Sequence, residues 1–355
     1  MDHPFVYTAP AARIVFGVGS LQHLEREIEL LGAERALILC TPQQRNQAES
    51  LARRLGDRSA GIFDRAEMHV PIEVAHSARE KAARRGADCA LAIGGGSTIG
   101  LGKAIALDSG LPILAVPTTY AGSEVTPIYG ITKAGLKQTG RASRVLPRTV
   151  IYDPTLTLGL PVGMSLTSGI NAIAHAAEGL YAQDANPVMS LMAEEGIRAL
   201  GHALPAIVKD PADIAARSKA LYGAWLCGTV LGNVGMSLHH KLCHTLGGSF
   251  NLPHAETHTV MLPHALAYNA AHAPAAMRRI ARALDSDDGA LAIRNLASKY
   301  GAPVSLQELG MQEQDIARAV ELTVSNPYWN PRPLERSSLV ALMARAFAGD
   351  PPITI

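Results

Sequence analysis

Six histidines lie close together between residues 238 and 264, in a chain that has 13 histidines in all. They are His239, His240, His244, His254, His258 and His264. His240 and His244 are four residues apart, so a helix would place both on one face. Gly247–Gly248 is expected to end that helix, and Pro253–His254 to begin the next. Imidazole is a common ligand of zinc and iron and a common acid or base near neutral pH. The spacing of these histidines therefore predicts a metal-binding or acid–base catalytic site.

A glycine-rich turn predicts a second site, for a phosphate group. An apolar strand ending at Ile93 is followed by glycines and hydroxyl residues that begin a helix, where backbone N–H groups and the helix dipole favour an anion. Ser97 and Thr98 can cap that helix. A second hydroxyl-rich strand end, Val116–Glu124, would lie beside the first. The cofactor-binding candidates in these two turns are Gly94, Gly95, Gly96, Ser97, Thr118, Thr119 and Ser123.

The residues after the second strand bear on the choice of dinucleotide. An acidic side chain at such a position commonly holds the adenosine 2′-hydroxyl. Here Thr41 and Pro42 follow the strand, and no Asp or Glu does. The turn is not a GxGxxG fingerprint either. We therefore expect loose selection between NADH and NADPH.

The elements that must position these residues fall into two halves. Up to about residue 155, short apolar strands alternate with amphipathic helices, which indicates a parallel sheet covered on both faces. A polar, glycine-containing stretch, residues 129–143, predicts a hairpin with Gly135 at its turn. Beyond Asp153–Pro154 the strand patterns cease and alanine-rich helical patterns follow. We predict an α/β dinucleotide-binding domain over residues 1–158 and an all-helical catalytic domain over residues 159–355.

Composition excludes several classes of function. A formal net charge of +1 and 5% aromatic residues give no reason to expect nucleic-acid or membrane-surface binding. The four cysteines form no CxxC pair, so neither a disulfide framework nor a thiolate zinc site is indicated. The first residues lack a signal-peptide pattern, and no long apolar run occurs. A cytoplasmic protein with a small-molecule substrate is expected.

Several motifs, in their order and spacing, resemble the iron-containing (group III) alcohol dehydrogenase superfamily. They are GGGSTIGLGK (94–103), VPTTYAGSEVTP (116–127), IYDPTLTLGLP (151–161), GINAIAHAAEGLYA (169–182) and the histidine stretch. The resemblance implies a dehydroquinate synthase-like plan of two domains with a nicotinamide site in the cleft between them. It also implies a homodimer, and a cofactor contact from Lys137 in the hairpin.

Two departures from the superfamily pattern are informative. The superfamily has an aspartate where Gly100 stands, and a metal-binding aspartate where Asn171 stands; the other ligand positions fall on His175, His240 and His254. An amide in place of a carboxylate removes the charge that offsets a divalent cation. Three histidines can still hold zinc in some enzymes, but we expect no functional metal.

With the tail motif NPYWNPRP (326–333), these departures resemble the maleylacetate reductase branch. That branch reduces the carbon–carbon double bond of maleylacetate to 3-oxoadipate, in aromatic degradation, with NADH or NADPH. The enolate that would form needs a donor at its oxygen and a general acid. The expected catalytic residues are His175, His240, His244 and His254, with His244 the candidate proton donor. His239 and His258 receive no role. Arg144, Arg332 and Lys241 are candidates for binding the substrate carboxylates.

Three alternatives remain open at this point. A metal-dependent alcohol or polyol dehydrogenase of the same superfamily predicts a bound metal and oxidation of a simple alcohol. A carbon–oxygen lyase resembling dehydroquinate synthase predicts NAD that is held and not consumed, with more cationic residues around the site. A non-catalytic nucleotide-binding relative predicts no turnover at all.

Overall fold

The computed structural model describes residues 5, 7–8, 12–133 and 136–354. The chain forms two compact units that meet in sequence between Leu160 and Pro161. The α/β unit spans residues 9–160, and the helical unit spans residues 161–355 and includes the described residues among the first eight. Each is described by itself.

A six-stranded, fully parallel sheet forms the centre of the α/β unit. Its strands are β1 (Arg13–Phe16), β2 (Ala36–Leu39), β3 (Ser59–Phe63), β4 (Cys89–Gly94), β5 (Ile113–Pro117) and β8 (Thr149–Tyr152), in the spatial order β1-β8-β5-β4-β2-β3. Every residue of β2, β4, β5 and β8 is buried. Strands that are apolar along their whole length belong in a sheet covered on both faces, as the sequence predicted.

In the described part of this unit, four α-helices connect the strands. They are α1 (Leu24–Leu30), α2 (Arg45–Leu55), α3 (Ile72–Arg84) and α4 (Gly96–Ser109). Between β5 and β8 the chain forms an antiparallel hairpin of β6 (Ile128–Lys133) and β7 (Leu136–Arg141). The hairpin was predicted, and its turn, including Gly135, lies outside the described residues.

The helical unit contains nine α-helices in its described part. They are α5 (Val162–Gly179), α6 (Pro187–Lys209), α7 (Ile214–Asn233), α8 (Leu238–Phe250), α9 (His254–Asn269), α10 (Pro274–Ala283), α11 (Gly289–Lys299), α12 (Asp315–Ser325) and α13 (Arg336–Ala348). Helices α5, α6 and α7 pack on one another, and α5 and α8 both pack on α9. No described helix has the length and apolarity needed to cross a bilayer.

Two predicted helix boundaries were wrong. Helix α8 does not stop at Gly247–Gly248; it continues to Phe250 and ends where Asn251 adopts the left-handed conformation (φ 54°). A glycine inside a helix costs only about 1 kcal/mol, which the packing of the preceding turns outweighs. The alanine-rich pattern from Ala265 to Leu284 predicts one helix, but α9 ends at Asn269, Ala270–His272 forms a short 3-10 turn, and Pro274 begins α10.

Candidate functional site

The histidine cluster of the helical unit is assembled from three helices. Helix α5 carries His175, α8 carries His239, His240 and His244, and α9 carries His254 and His258. The ring centroids of His240 and His258 are 5.0 Å apart, and those of His254 and His258 are 4.4 Å apart. The structure thus brings these six imidazoles together, whereas His264 lies further along α9.

A buried carboxylate that the sequence analysis did not single out fixes one side of the cluster. Glu178 lies one turn after His175 on α5 and is 0% exposed. It accepts a hydrogen bond from His240 Nδ1 at 2.7 Å. It also accepts from the backbone N–H groups of Ser237 and His239, both at 2.7 Å, at the beginning of α8. One carboxylate therefore caps α8 and orients the imidazole of His240.

The tautomers of His240 and His175 follow from that contact. A carboxylate accepts only, so His240 Nδ1 carries a proton, and in the neutral ring Nε2 is then an acceptor. His240 Nε2 lies 2.9 Å from His175 Nδ1. His175 Nδ1 is therefore the donor, and the hydrogen-bonded chain runs from His175 through His240 to Glu178.

His239 and His258, to which the sequence analysis gave no role, form a second buried pair within the cluster. His239 Nε2 and His258 Nδ1 are 2.9 Å apart, and both side chains are 0% exposed. Burial, reinforced by neighbouring imidazoles, holds the pKa of each ring well below its ordinary value. Both rings are therefore neutral near pH 7 and pack the inner side of the cluster.

His244 lies at the solvent-exposed side of the cluster. Its ring centroid is 6.1 Å from that of His240. Its Nδ1 lies 3.0 Å from the hydroxyl of Tyr328. The side chain is exposed. Such a position suits a group that exchanges protons with water.

The expected metal-ligand positions can be tested against the donors present. Asn171 is 4% exposed on α5, and its Oδ1 makes no hydrogen bond in the described structure. The donors are an amide oxygen and imidazoles, without a carboxylate to offset a divalent charge. The 2.9 Å contact between His175 and His240 also requires an N–H on one ring, which removes one lone pair from metal binding. This donor set fits a divalent cation poorly.

The dinucleotide-site candidates lie at the ends of β4 and β5 in the α/β unit. Helix α4 begins at Gly96, and its N-cap is Gly95, with no side-chain cap. Ser97 and Thr98 therefore lie in the first turn of α4. The prediction that they cap this helix was wrong. A Cβ at Gly94 would meet Thr98 Oγ1 at 2.5 Å, and a Cβ at Gly95 would meet Thr119 Cγ2 at 2.9 Å. A side chain at either position would collide with a threonine side chain, so both positions favour glycine, which lets the backbone approach a phosphate closely.

The neighbouring strand ends add hydroxyl and amide groups. Thr118 donates its backbone N–H to Gly94 O at 3.1 Å. Its Oγ1 accepts from Gln44 Nε2 at 2.8 Å. Gln44 was not among the predicted site residues. It follows β2, at the strand end where an acidic side chain commonly holds the adenosine 2′-hydroxyl. Ser123 offers its backbone carbonyl to the buried ammonium of Lys103 at 2.6 Å. Lys137 belongs to β7, and its side chain lies outside the described part.

The side chain that lies next to Gly100 in the α/β unit explains why glycine stands at this position. A Cβ at residue 100 would lie 2.9 Å from Val70 Cγ2. Val70 has a φ of 49° and His69 a φ of 64°, a left-handed conformation that is uncommon for any residue but glycine and especially for valine. The side chain of Val70 therefore occupies the space that an aspartate at this position would need.

Comparison with known proteins agrees with this architecture. The profile for iron-containing alcohol dehydrogenase matches residues 11–154, and that for the C-terminal part of the Fe-containing alcohol dehydrogenase family matches residues 165–347. The chain is 64% identical to a maleylacetate reductase of Burkholderia cepacia, over 98% of this chain and 99% of that protein.

Two solved structures show the same fold. The maleylacetate reductase of Agrobacterium tumefaciens is 55% identical, with a TM-score of 0.95 over 99% of this chain and 100% of that one. An iron-containing alcohol dehydrogenase of Corynebacterium glutamicum is 43% identical, with a TM-score of 0.93 over 98% of each chain.

Proposed function

We propose that this chain, which belongs to the iron-containing alcohol dehydrogenase family, catalyses NADH- or NADPH-dependent reduction of the carbon–carbon double bond of maleylacetate, giving 3-oxoadipate. The observation that carries this function is the sequence identity between this chain and maleylacetate reductases, which extends over nearly the whole length of both proteins. Cofactor binding is assigned to residues 1–158 and catalysis to residues 159–355.

The glycine turn supports the choice of cofactor. Gly94, Gly95, Gly96 and Ser97 would hold the diphosphate, since close backbone approach and a helix N-terminus suit that group. Further contacts are assigned to Thr118, Thr119, Ser123 and Lys137. A bound NADH or NADPH supplies the hydride.

The protein's own contribution is to stabilise negative charge on the substrate and to deliver a proton. Hydride addition at the carbon β to the ketone leaves an enolate, whose oxygen needs a hydrogen-bond donor. His175, His240 and His254 are assigned to surround that oxygen. Glu178 supports this arrangement because it fixes the ring of His240. Because His240 already donates its Nδ1–H to Glu178, it can donate to the enolate oxygen from Nε2 only when that nitrogen also carries a proton.

His244 is assigned as the general acid that protonates the neighbouring carbon. Its exposed ring lies beside that of His240, and the Tyr328 hydroxyl holds its Nδ1 side. The other ring nitrogen, Nε2, is assigned the proton transfer to substrate. Exposure allows the ring to be reprotonated from water after each turnover.

We further propose that this reaction proceeds without a metal. Conjugation spreads the developing charge, so a Lewis acid is less necessary than in reduction of an isolated ketone. The donors around Asn171 support this view, since the groups that would contact a cation are neutral and the Glu178 carboxylate is bonded to His240 instead of standing among them. A cytoplasmic homodimer is proposed from family resemblance, and light scattering on the purified protein tests the dimer.

One assay tests the function and its main alternative. NADH absorbance is followed with maleylacetate, with simple aldehydes and without substrate, each with and without exhaustive chelation. We expect consumption with maleylacetate only, unchanged by chelation, in protein that elemental analysis finds free of metal. Activity with aldehydes that is lost on chelation and restored by zinc or iron would favour the alcohol dehydrogenase alternative. If neither NADH nor NADPH is consumed in any of the three mixtures, both functions are contradicted.

A further inference from the structure

Lys241 is an ammonium group without an acidic partner beside the histidine cluster. It follows His240 on α8 and is half-buried. No carboxylate within the described residues forms an ion pair with it, and its Nζ lies 5.7 Å from the centroid of the Tyr328 ring. A cation that is partly removed from water and left unpaired is suited to bind an anion from outside the chain.

Tyr328 connects this lysine to the proposed proton donor. Its ring faces Lys241 Nζ, and its hydroxyl lies 3.0 Å from His244 Nδ1. Lys241 and His244 are three residues apart on α8 and so share one face. Ammonium, phenol and imidazole therefore form one polar surface that continues from His240.

The other two cations considered from sequence are already engaged. Arg332 NH1 donates to Tyr268 O at 3.1 Å, and its guanidinium lies 4.1 Å from the centroid of the Tyr268 ring. Arg144, in the α/β unit, is exposed and donates to Leu107 O at 3.3 Å. Within the helical unit, Lys241 combines an unpaired charge with direct proximity to the histidines.

We propose that Lys241, supported by Tyr328, binds one carboxylate of a dicarboxylate substrate and so selects keto-diacids over plain ketones and aldehydes. This inference rests on the proposed function. The ammonium donates to the carboxylate and holds the substrate with its ketone toward the imidazoles. The lysine makes the same contact before and during the reaction, so its loss weakens binding more than turnover.

The test replaces Lys241 with methionine, which keeps most of the aliphatic stem and removes the charge. The matched control is Lys299→Met, because Lys299 on α11 also lies over a tyrosine ring, with Nζ 5.3 Å from the Tyr300 centroid. For Lys241→Met we expect the KM for maleylacetate to rise at least about tenfold, the typical effect of losing a charged hydrogen bond. The kcat and the KM for NADH should change less than about threefold. Lys299→Met should match wild type.

A binding measurement separates failure of this inference from failure of the proposed function. Adipate is a six-carbon dicarboxylate that cannot be reduced, and its binding to NAD-saturated enzyme is measured by calorimetry. Adipate binding that is about tenfold weaker in Lys241→Met supports the lysine's role even if maleylacetate is not turned over. Equal binding by both proteins, or no binding by wild type, overturns it. An unchanged KM for maleylacetate in an active Lys241→Met enzyme overturns it as well.

Discussion

At the scale of single residues, Glu178 determines how the histidines are arranged. It is a fully buried carboxylate whose neighbours are all donors: His240 Nδ1 and backbone N–H groups at the beginning of α8. Ser237, the N-cap residue of α8, provides no side-chain cap of its own. The carboxylate from α5 takes that place, so helix capping and ring orientation depend on the same two oxygen atoms.

Glu178→Gln is expected to affect stability and catalysis together. The amide would point an N–H group at backbone or imidazole donors, leaving at least one buried donor unsatisfied. The free energy of unfolding should fall by about 1–3 kcal/mol, and kcat/KM should fall because His240 is no longer fixed. Urea unfolding and steady-state kinetics measure the two effects.

Glu194→Gln on α6 is the control for the Glu178 substitution. Glu194 pairs with Arg282 at 2.7 Å and with Arg279 at 3.3 Å, and the two arginine side chains are 65% and 37% exposed. Loss of such a surface pair should cost less than about 1 kcal/mol and leave kcat/KM unchanged. If Glu178→Gln behaves like this control, the carboxylate is not needed to position His240.

At the scale of elements, α5, α8 and α9 position the cluster. The space around two glycines, one on α5 and one on α8, shows how tightly each helix is packed at that point. Gly179, at the end of α5, faces α7, where a Cβ would collide with Val230 Cγ1. Gly248 lies in the last turns of α8, and a Cβ there would have no heavy atom within 4 Å. A side chain is therefore sterically excluded at Gly179 and sterically allowed at Gly248.

Alanine at these two glycines should change stability in opposite directions. Gly248→Ala should raise the free energy of unfolding by about 0.5–1 kcal/mol, because it restricts the unfolded chain at no steric cost. Gly179→Ala should lower it by about 1–3 kcal/mol, because α5 and α7 must move apart. Denaturant unfolding of both variants checks this, and the same sign for the two changes would contradict it.

At the scale of the whole molecule, buried histidines make folding stability depend on pH. His264 on α9 is 4% exposed, and burial, with nearby Arg294 and Arg345, lowers its pKa from 6.5 to about 4. Between these two values the unfolded chain binds more protons than the folded one. Stability therefore rises with pH across this window and is lost as pH falls through it.

His264→Gln should reduce the pH dependence of stability. Between pH 7.5 and pH 5, the wild-type His264 contributes a loss of about 2 kcal/mol, as expected for a pKa lowered from 6.5 to about 4. Over the same pH interval, the free energy of unfolding of the variant should fall by about 2 kcal/mol less than that of wild type, whatever the variant's stability at pH 7.5. Urea unfolding at both pH values measures this, with the exposed His76→Gln as the control. An identical pH dependence in wild type and His264→Gln would contradict the assignment.

The sequence by itself determined the order and type of the elements. Apolar strands bounded by turn residues identified all six strands of the parallel sheet, and the glycines after Ile93 indicated the strand end where α4 begins. The proximity of imidazoles on α8 was also evident, because His240 and His244 are one helical turn apart. These signals are local: strand burial, helix periodicity and turn chemistry leave their pattern within a few neighbouring residues.

Only the tertiary structure decided which groups face one another. Glu178 meets His240 across 62 residues of sequence, and Gln44 meets Thr118 across 74. The burial of His239 against His258, and the filling of the space at Gly100 by Val70, are likewise contacts between separate elements. No local pattern specifies such pairs, because they depend on the packing of whole helices and strands, to which distant side chains contribute together.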